Sequence, residues 1–284
     1  MGDKRSISGP LLWPSVANIG LTRRCNSRCV MCVASDGGTD MSITVLDELI
    51  RQLSQYPIDT YSWTGNIGEP LMAPGLLQRA IGAARRCSPK SRQMVFTNAA
   101  LLTREVSERL ISEGLTDITF SIDSLDVDTY ESVRRGLKLE VVLANVDEFI
   151  ALNEAAGHPV QTRVHAVIST QAMIDTVPAM RERWKHDVDG FSWLPCDGRG
   201  PTACFIEESD DWPCHSPFSG IFVEPNGDFL FCCQDGLGKY PMGHFPKESV
   251  KQIWNGERYA FVRKAHLNGK KKSLALCKKC HTYY

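Results

Sequence analysis

The stretch Thr22-Arg-Arg-Cys-Asn-Ser-Arg-Cys-Val-Met-Cys32 carries three cysteines in the spacing C-x3-C-x2-C. Cys25, Cys29 and Cys32 are close enough along the chain to share one loop, where three thiolates can bind three corners of a cubane iron–sulfur cluster. The loop contains no fourth cysteine, so one iron would stay open to a ligand that is not protein. A zinc knuckle is the alternative, but structural zinc normally takes four ligands and no histidine lies near this loop.

The length and composition of the chain place it among ordinary globular proteins. Its 284 residues are enough for one large domain and a small one. No run of 18 apolar residues exists and the N-terminal segment lacks a signal-peptide core, so we expect a cytoplasmic protein without a membrane partner. In that compartment disulfides are not expected, and the 11 cysteines are candidate metal ligands or catalytic thiols. A net charge of −1 argues against a nucleic-acid partner.

Strand-like and helical patterns alternate through the first two thirds of the chain. The predicted strands are Val16–Leu21, Ile58–Thr64, Gln93–Thr97, Asp117–Ile122, Val160–Ile168 and Gly190–Leu194. The predicted helices between them are Ser42–Gln55, Gly75–Arg86, Thr103–Glu113, Val141–Glu154 and Val177–Trp184. This alternation predicts an α/β fold of parallel units, which right-handed crossovers can close into a full or partial barrel.

Polar residues follow the predicted strands at their carboxyl ends. The cysteine loop follows the first strand, and Thr64-Gly-Asn-Ile-Gly-Glu-Pro70 follows the second. The third strand ends in Asn98, and the fourth is followed by Asp123. Because ligands of parallel barrels lie at these ends, we expect the four segments to form one site.

Across residues 16–195 these motifs resemble the radical S-adenosylmethionine (SAM) superfamily. In that family the open iron chelates SAM, and an electron from the cluster cleaves SAM to a 5′-deoxyadenosyl radical. The resemblance implies an enzyme with a partial (β/α)6 barrel and a SAM-binding [4Fe–4S] cluster on Cys25, Cys29 and Cys32. It also implies an electron donor such as flavodoxin or ferredoxin.

The same resemblance implies SAM contacts at the positions that match the family's motifs. Gly68 and Glu69, in Gly-Glu-Pro, would contact the amino group of SAM, and Arg134 would contact its carboxylate. The backbone of Met31 would face the adenine. Asn98 lies in a Thr-Asn-Gly-like segment, and Ser121 and Asp123 would lie near the ribose or methionyl group. A carboxylate suits an ammonium partner, which supports the place given to Glu69. Arg135 is the alternative match to Arg134, and Ala99 stands where the family usually has glycine. Each residue also has a structural alternative, such as a helix cap for Glu69.

Four of the five cysteines in the last quarter of the chain form a second candidate ligand set: Cys214, Cys232, Cys277 and Cys280. Pro225-Asn-Gly227 separates two strand-like runs, Gly220–Glu224 and Asp228–Phe231, and predicts a hairpin between the first two of these cysteines. Helices are predicted over Ser249–Trp254 and Glu257–Leu267. Four thiolates bind either zinc or a cubane cluster, and their spacing does not choose between the two.

This layout resembles the twitch domain, a shortened relative of the SPASM domain. The resemblance implies a second, auxiliary [4Fe–4S] cluster bound by Cys214, Cys232, Cys277 and Cys280. The predicted domain division is a lead-in over residues 1–15, a radical SAM core over 16–195, a linker over 196–212 and a small α+β iron–sulfur domain over 213–284. That last domain would consist of a β-hairpin and a helix.

The predicted function follows from a resemblance of the twitch-type domain. It resembles the corresponding domains of 2-deoxy-scyllo-inosamine dehydrogenase and related aminoglycoside-modifying enzymes. The resemblance implies a small polyol, aminocyclitol or aminoglycoside substrate and a place in antibiotic biosynthesis. The leading hypothesis is oxidation of a carbinol carbon to a carbonyl, with the auxiliary cluster as electron acceptor. His165 is the candidate base, because a histidine titrates near neutral pH, and Arg163 and Asp197 lie near the same mouth.

Three other functions stay open. The first is epimerisation, in which Cys233 (or Cys196 or Cys204) returns a hydrogen atom to the substrate. The second is peptide maturation. Longer SPASM proteins that modify peptides usually carry an N-terminal peptide-binding domain, and the short segment before the first strand argues against such a domain here. The third is a scaffold without turnover, which the intact cysteine motif argues against.

The cysteine pattern makes a direct prediction about iron content. Anaerobically reconstituted protein should bind roughly 8 irons, falling to about 4 in a Cys25/Cys29/Cys32→Ala triple variant, because each cubane holds four irons. The measurement is iron and acid-labile sulfide per chain. A fall from about 4 irons to none, with zinc retained, would contradict a second cluster.

Overall fold

The computed structural model describes residues 12–33, 38–196, 213–278 and 280. The strands are β1 (Val16–Ile19), β2 (Arg28–Cys29), β3 (Thr60–Ser62), β4 (Arg92–Thr97), β5 (Asp117–Ser121), β6 (Arg134–Arg135), β7 (Gln161–Ile168), β8 (Gly190–Pro195), β9 (Gly220–Val223), β10 (Asp228–Leu230) and β11 (Pro241–His244). The α-helices are α1 (Ile43–Leu53), α2 (Pro74–Cys87), α3 (Arg104–Ser112), α4 (Val127–Val133), α5 (Leu139–Ala155), α6 (Gln171–Trp184), α7 (Ser216–Ser219), α8 (Val250–Trp254) and α9 (Glu257–Leu267). None of the helices in these ranges is long and apolar enough to cross a membrane.

The core of the fold is an open, mainly parallel sheet. Nine strands pair in the order β11-β10-β9-β1-β3-β4-β5-β7-β8, and β2 pairs with β6 in a separate two-stranded sheet. The strands from β1 to β8 within the large sheet run parallel. Its outer strands, β11 and β8, pair with no further strand of the described chain. The predicted partial (β/α)6 barrel is therefore confirmed, with all polar strand ends on one side.

The predicted C-terminal hairpin forms and also extends the large sheet. Strands β9 and β10 are antiparallel, with Phe229 opposite Val223, and β9 pairs in parallel with β1. The join is reinforced by the Asn18 side chain, which donates to the Ile221 carbonyl oxygen at 3.2 Å. The C-terminal hairpin is thus joined to the core sheet. The predicted division into a core and a small C-terminal domain stays a prediction.

Helix ends follow the capping residues in the sequence. The side chains of Ser42 and Thr103 accept hydrogen bonds from Val45 and Val106 N–H groups at the starts of α1 and α3. Helix α6 begins at Gln171, ahead of the predicted start at Val177, because its buried face reaches back to Met173. Packing therefore holds the turns that precede Pro178. Helix α4 and strand β11 were not predicted, since each is too short to show a clear periodicity.

Candidate active site

A cavity of about 210 Å³ lies at the carboxyl ends of the parallel strands. It is lined by all but one of the residues predicted for the first cluster and for SAM: Cys25, Cys29, Met31, Cys32, Gly68, Glu69, Asn98, Ser121 and Arg134. The exception is Asp123, which is fully buried behind the cavity. Tertiary structure thus brings the loops after β1, β3, β4 and β5 to one place.

The three N-terminal cysteines are half-buried and form no disulfide. Burial raises the pKa of Cys25 to about 11, and burial also raises the pKa of Cys29, against the opposing charge of Arg134. A bound metal reverses this preference because it takes the thiolate outright. Buried thiols with raised pKa values on one cavity wall fit cluster ligands better than reactive nucleophiles.

A short strand pair aligns Arg134 with the cysteine loop. Strand β2 runs antiparallel to β6, with Cys29 opposite Arg134. The register brings Arg134 Nη1 within 4.0 Å of Cys29 Sγ, and Ser27 Oγ lies 3.1 Å from the same sulfur. Arg134 is buried and lines the cavity, whereas Arg135 is exposed.

Asp123 pairs with Arg134, and its predicted place near the ribose or methionyl group of SAM stays a prediction. Asp123 Oδ1 accepts hydrogen bonds from Arg134 Nη2 at 2.9 Å and from the Val167 N–H at 2.8 Å. Burial works against a charged guanidinium, but Asp123 and Cys29 outweigh it and raise the pKa of Arg134. A buried pair of this kind leaves an uncompensated charge if either partner is removed.

The Gly-Glu-Pro segment crosses directly over the start of the cysteine loop. Gly68 has a φ of 100°, and a Cβ atom there would lie 2.1 Å from the Thr22 carbonyl oxygen. The Glu69 N–H donates to the Arg24 carbonyl oxygen at 2.8 Å. Only glycine tolerates both the backbone conformation and the close approach.

The buried carboxylate of Glu69 connects the loop after β3 to the carboxyl end of β4. Oε1 accepts from Thr97 Oγ1 at 2.7 Å and from the Leu71 N–H at 3.1 Å, while Oε2 accepts from the Asn98 N–H at 2.8 Å. Burial raises the pKa of Glu69, and these hydrogen bonds oppose the rise. Glu69 therefore both caps the short helical turn that follows it and lines the cavity.

Asn98 links β4 to the cysteine loop. Its Nδ2 donates to Asn26 Oδ1 at 2.8 Å, and its Oδ1 accepts from the Ala100 N–H at 3.1 Å. Ala99, which stands where the family usually has glycine, has a φ of 60°. This left-handed conformation gives the physical reason for the usual glycine, because a Cβ costs roughly 1–2 kcal/mol there.

The four C-terminal cysteines line a second cavity together. Burial raises the pKa of Cys277 to about 12, and it also raises the pKa of Cys232 well above its usual value. The thiolates of a cubane each bind a different iron, so such ligands need not converge on one point. Within the described ranges no three ligand-type side chains do converge in that way.

Asn66 joins the two cavities and was not singled out from the sequence. It lines the first cavity, and its Nδ2 donates to the backbone carbonyl oxygen of Cys232 at 3.0 Å. Gly236 lines the first cavity from the C-terminal side, and a Cβ built on it would lie 3.0 Å from Val33. The only signal in the sequence was the position of Asn66 within the loop after the second strand.

The remaining predicted residues lie outside the described lining of the first cavity or carry other bonds. His165 lies opposite Ser121 and Ser192 in the sheet, with Nδ1 2.9 Å from Ser192 Oγ. Cys233 is half-buried against the core. Cys196 lines the cavity but is disulfide-bonded, contrary to the expectation that disulfides are absent. Two further predicted positions, Asp197 and Cys204, fall outside the described residues.

Two protein-family models match the chain. The radical SAM superfamily model matches residues 19–158, and SPASM, an iron-sulfur cluster-binding domain, matches residues 214–281. The chain belongs to the radical SAM superfamily. The SAM cofactor, the first [4Fe–4S] cluster and an auxiliary iron–sulfur cluster follow from these two domains, and the two sets of cysteines fit them. Zinc at the second site is therefore set aside.

Solved structures share the fold of this radical SAM protein at low identity. BtrN in complex with AdoMet and 2-DOIA is 19% identical with a TM-score of 0.68, over 95% of this chain and 93% of BtrN. Streptococcus suis SuiB bound to its precursor peptide SuiA is 15% identical with a TM-score of 0.71, over 89% of this chain and 67% of SuiB. At these identities the likeness concerns the fold alone.

Curated relatives match different shares of the chain. GTP 3′,8-cyclase of Listeria welshimeri is 30% identical over 138 residues, which are 46% of this chain and 40% of the cyclase. The matched segment thus spans less than half the length of that relative. A cofactor-modifying protein for tungsten-containing aldehyde ferredoxin oxidoreductase, from Pyrococcus furiosus, is 22% identical over 86% of this chain and 81% of its own length.

The crossing at Gly68 predicts the outcome of one substitution. Gly68→Ala should lower SAM affinity more than tenfold, because its Cβ would push the Thr22 backbone and the adjoining cysteine loop apart. The measurement is equilibrium binding of SAM to protein of matched iron content. Gly75→Ala is the control, because a Cβ there meets nothing within 4 Å. Equal affinity in the two variants would contradict the role of the crossing.

Proposed function

We propose that this radical SAM enzyme oxidises a carbinol carbon of a small polyol, aminocyclitol or aminoglycoside to a carbonyl, with the auxiliary cluster as electron acceptor. The observation that carries the proposal is the contact between the two sites. Asn66, in the wall of the first cavity, is hydrogen-bonded to the backbone of the cluster ligand Cys232 at 3.0 Å. A substrate beside Asn66 would stand between the source of the radical and an electron acceptor.

The cavity residues suit SAM in the orientation that the family motifs imply. Arg134, held by Asp123, faces the carboxylate, and Glu69 faces the amino group. Glu69 Oε2 accepts one hydrogen bond from the chain, and a carboxylate oxygen can accept a second from an ammonium group. Met31 would border the adenine, while Gly68, Asn98 and Ser121 complete the lining.

The oxidation needs a hydrogen atom, a proton and an electron to leave the substrate. When bound at the first cavity, SAM and the first cluster would supply the radical chemistry that takes the hydrogen atom from the carbinol carbon. The hydroxyl proton passes to His165, and the electron leaves toward the Cys232 side of the cavity. The carbon then forms its second bond to oxygen, so that atoms and electrons balance.

The place of His165 in the sheet supports its role as the base. It is paired with Ser121 and lies two residues before Val167, and both of these line the cavity. Residues two apart on a strand share a face, so His165 continues the wall of the cavity. Ser192 Oγ contacts Nδ1 and orients the ring.

The alternatives have different support. Epimerisation needs a thiol at the substrate, but Cys233 is absent from the described lining and Cys196 is disulfide-bonded. A peptide substrate is the second candidate, because the fold is shared with SuiB bound to a precursor peptide. We propose flavodoxin or ferredoxin as the electron donor and a role in antibiotic biosynthesis on the family resemblance alone.

Isotope labels separate these reactions. With deuterium at the carbinol carbon, we expect one deuterium in 5′-deoxyadenosine and a carbonyl product two mass units below the unlabelled substrate. In deuterated water the oxidised carbon should gain no deuterium, whereas epimerisation would add one. The products are read by mass spectrometry with the Cys233→Ala variant beside the wild type. Solvent deuterium on carbon, lost in Cys233→Ala, would overturn the oxidation.

Substitution of His165 tests the base. His165→Gln should lower carbonyl formation by about 10²–10⁴-fold, the usual contribution of general acid–base catalysis. Formation of 5′-deoxyadenosine should continue, since hydrogen abstraction precedes proton loss. His186→Gln, at an exposed position, is the control. Parallel loss of both products would instead assign His165 a structural role.

A further inference from the structure

We propose that His266 and Lys271 set the reduction potential of the auxiliary cluster, through a hydrogen bond to Cys277 and a buried positive charge. The two residues line the same cavity as the four cysteines and are absent from the described lining of the SAM cavity. The inference rests on the proposed function, because an electron-accepting cluster needs a reduced state that the surroundings stabilise. It concerns the potential, which can be measured without any substrate.

His266 bridges two cluster ligands in a defined tautomer. The Cys214 N–H donates to His266 Nδ1 at 3.0 Å, and an N–H can only donate, so Nδ1 carries no proton. The ring proton of the neutral imidazole is therefore on Nε2. Nε2 lies 3.6 Å from Cys277 Sγ, and a thiolate that binds iron can only accept. The geometry thus makes His266 the donor of an N–H···S hydrogen bond.

Packing keeps this ring in place. His266 is 1% exposed, and the ring of Phe218 meets it edge-on at 6.2 Å between centroids. The ring lies at the end of α9, eleven residues before Cys277. A second N–H···S contact runs from the Ser216 N–H to Cys214 Sγ at 3.4 Å. The sulfurs of Cys214 and Cys277 therefore each have an N–H donor beside them.

Lys271 places a positive charge beside the same thiols. It is only 5% exposed, although it belongs to a lysine-rich stretch whose neighbours Lys270 and Lys272 are exposed. Burial raises the pKa of Cys214 and Cys277, and Lys271 acts against that rise at both. Lys271 lines the same cavity as Cys214 and Cys277, which places its positive charge beside these ligands.

Both features act in the same direction on the potential. A cubane with four thiolate ligands is negatively charged, and reduction adds one further negative charge. Hydrogen bonds to sulfur and a nearby cation stabilise the more negative state, and the low dielectric of a buried site strengthens both. The two residues therefore raise the reduction potential and favour transfer of an electron to the cluster.

The test is a potentiometric titration of full-length protein followed by electron paramagnetic resonance. His266→Leu and Lys271→Met should each lower the equilibrium constant for reduction of the auxiliary cluster at least tenfold, which is 59 mV for one electron. His266→Gln and Lys271→Arg should stay close to the wild type, because an amide can accept and donate and because the charge is kept. Lys270→Met, at the exposed neighbour, is the matched control. The Cys25/Cys29/Cys32→Ala background isolates the auxiliary signal.

The outcomes separate the two proposals. An unchanged potential in both His266→Leu and Lys271→Met, at full cluster content, would overturn the tuning role. If the His266→Leu protein does not hold the cluster, the other two variants decide. A wild-type potential in His266→Gln together with a lowered potential in Lys271→Met would support the tuning role. An unchanged potential in Lys271→Met would overturn the tuning role. A shifted potential in a protein that makes no carbonyl product would overturn the oxidation while the tuning role stands.

Discussion

Both cluster sites depend on the position of one short strand. Strand β1 is hydrogen-bonded to β3 on one side and to β9 on the other, in parallel on both. The cysteine loop leaves the carboxyl end of β1, while β9 leads into the hairpin that ends beside Cys232. The first cluster and the auxiliary cluster are therefore held at a set distance by the hydrogen-bond ladder of a single sheet. A shift of β1 would move one site relative to the other.

The first cavity is built from charges that the sequence keeps out of water. Glu69, Asp123 and Arg134 are all buried, and an isolated charge in such a position is costly. Each charge is matched within the wall: Glu69 by three donors, and Asp123 and Arg134 by each other. These groups need not reorganise when a ligand that carries both an ammonium and a carboxylate group, such as SAM, enters the cavity. Preorganised walls of this kind suit binding of SAM in a single orientation.

The second cavity is organised by different means. No acidic residue is among its described lining, and its polar side chains besides the cysteines are those of Ser216, Gln234, His266 and Lys271. The first site thus pairs opposite charges, which suits a zwitterionic ligand, whereas the second places donors beside thiols. This contrast is the one expected if the auxiliary cluster receives an electron, as proposed above.

Local patterns in the sequence determined the ligands, the parallel sheet and most helix starts. Cysteine spacing, strand–helix alternation and capping residues such as Ser42 and Thr103 act over a few residues, so they can be read without the fold. Only the tertiary structure decided three contacts. Strand β9 pairs with β1, Asp123 binds Arg134 from behind the cavity wall, and Asn66 reaches the backbone of Cys232. The partners in the β9–β1 pairing and in the Asn66–Cys232 contact lie more than a hundred residues apart. Asp123 and Arg134 are closer in sequence, but they meet only where β6 pairs with the cysteine loop. No local preference encodes such contacts, because they form only when distant segments are packed into one sheet and one wall.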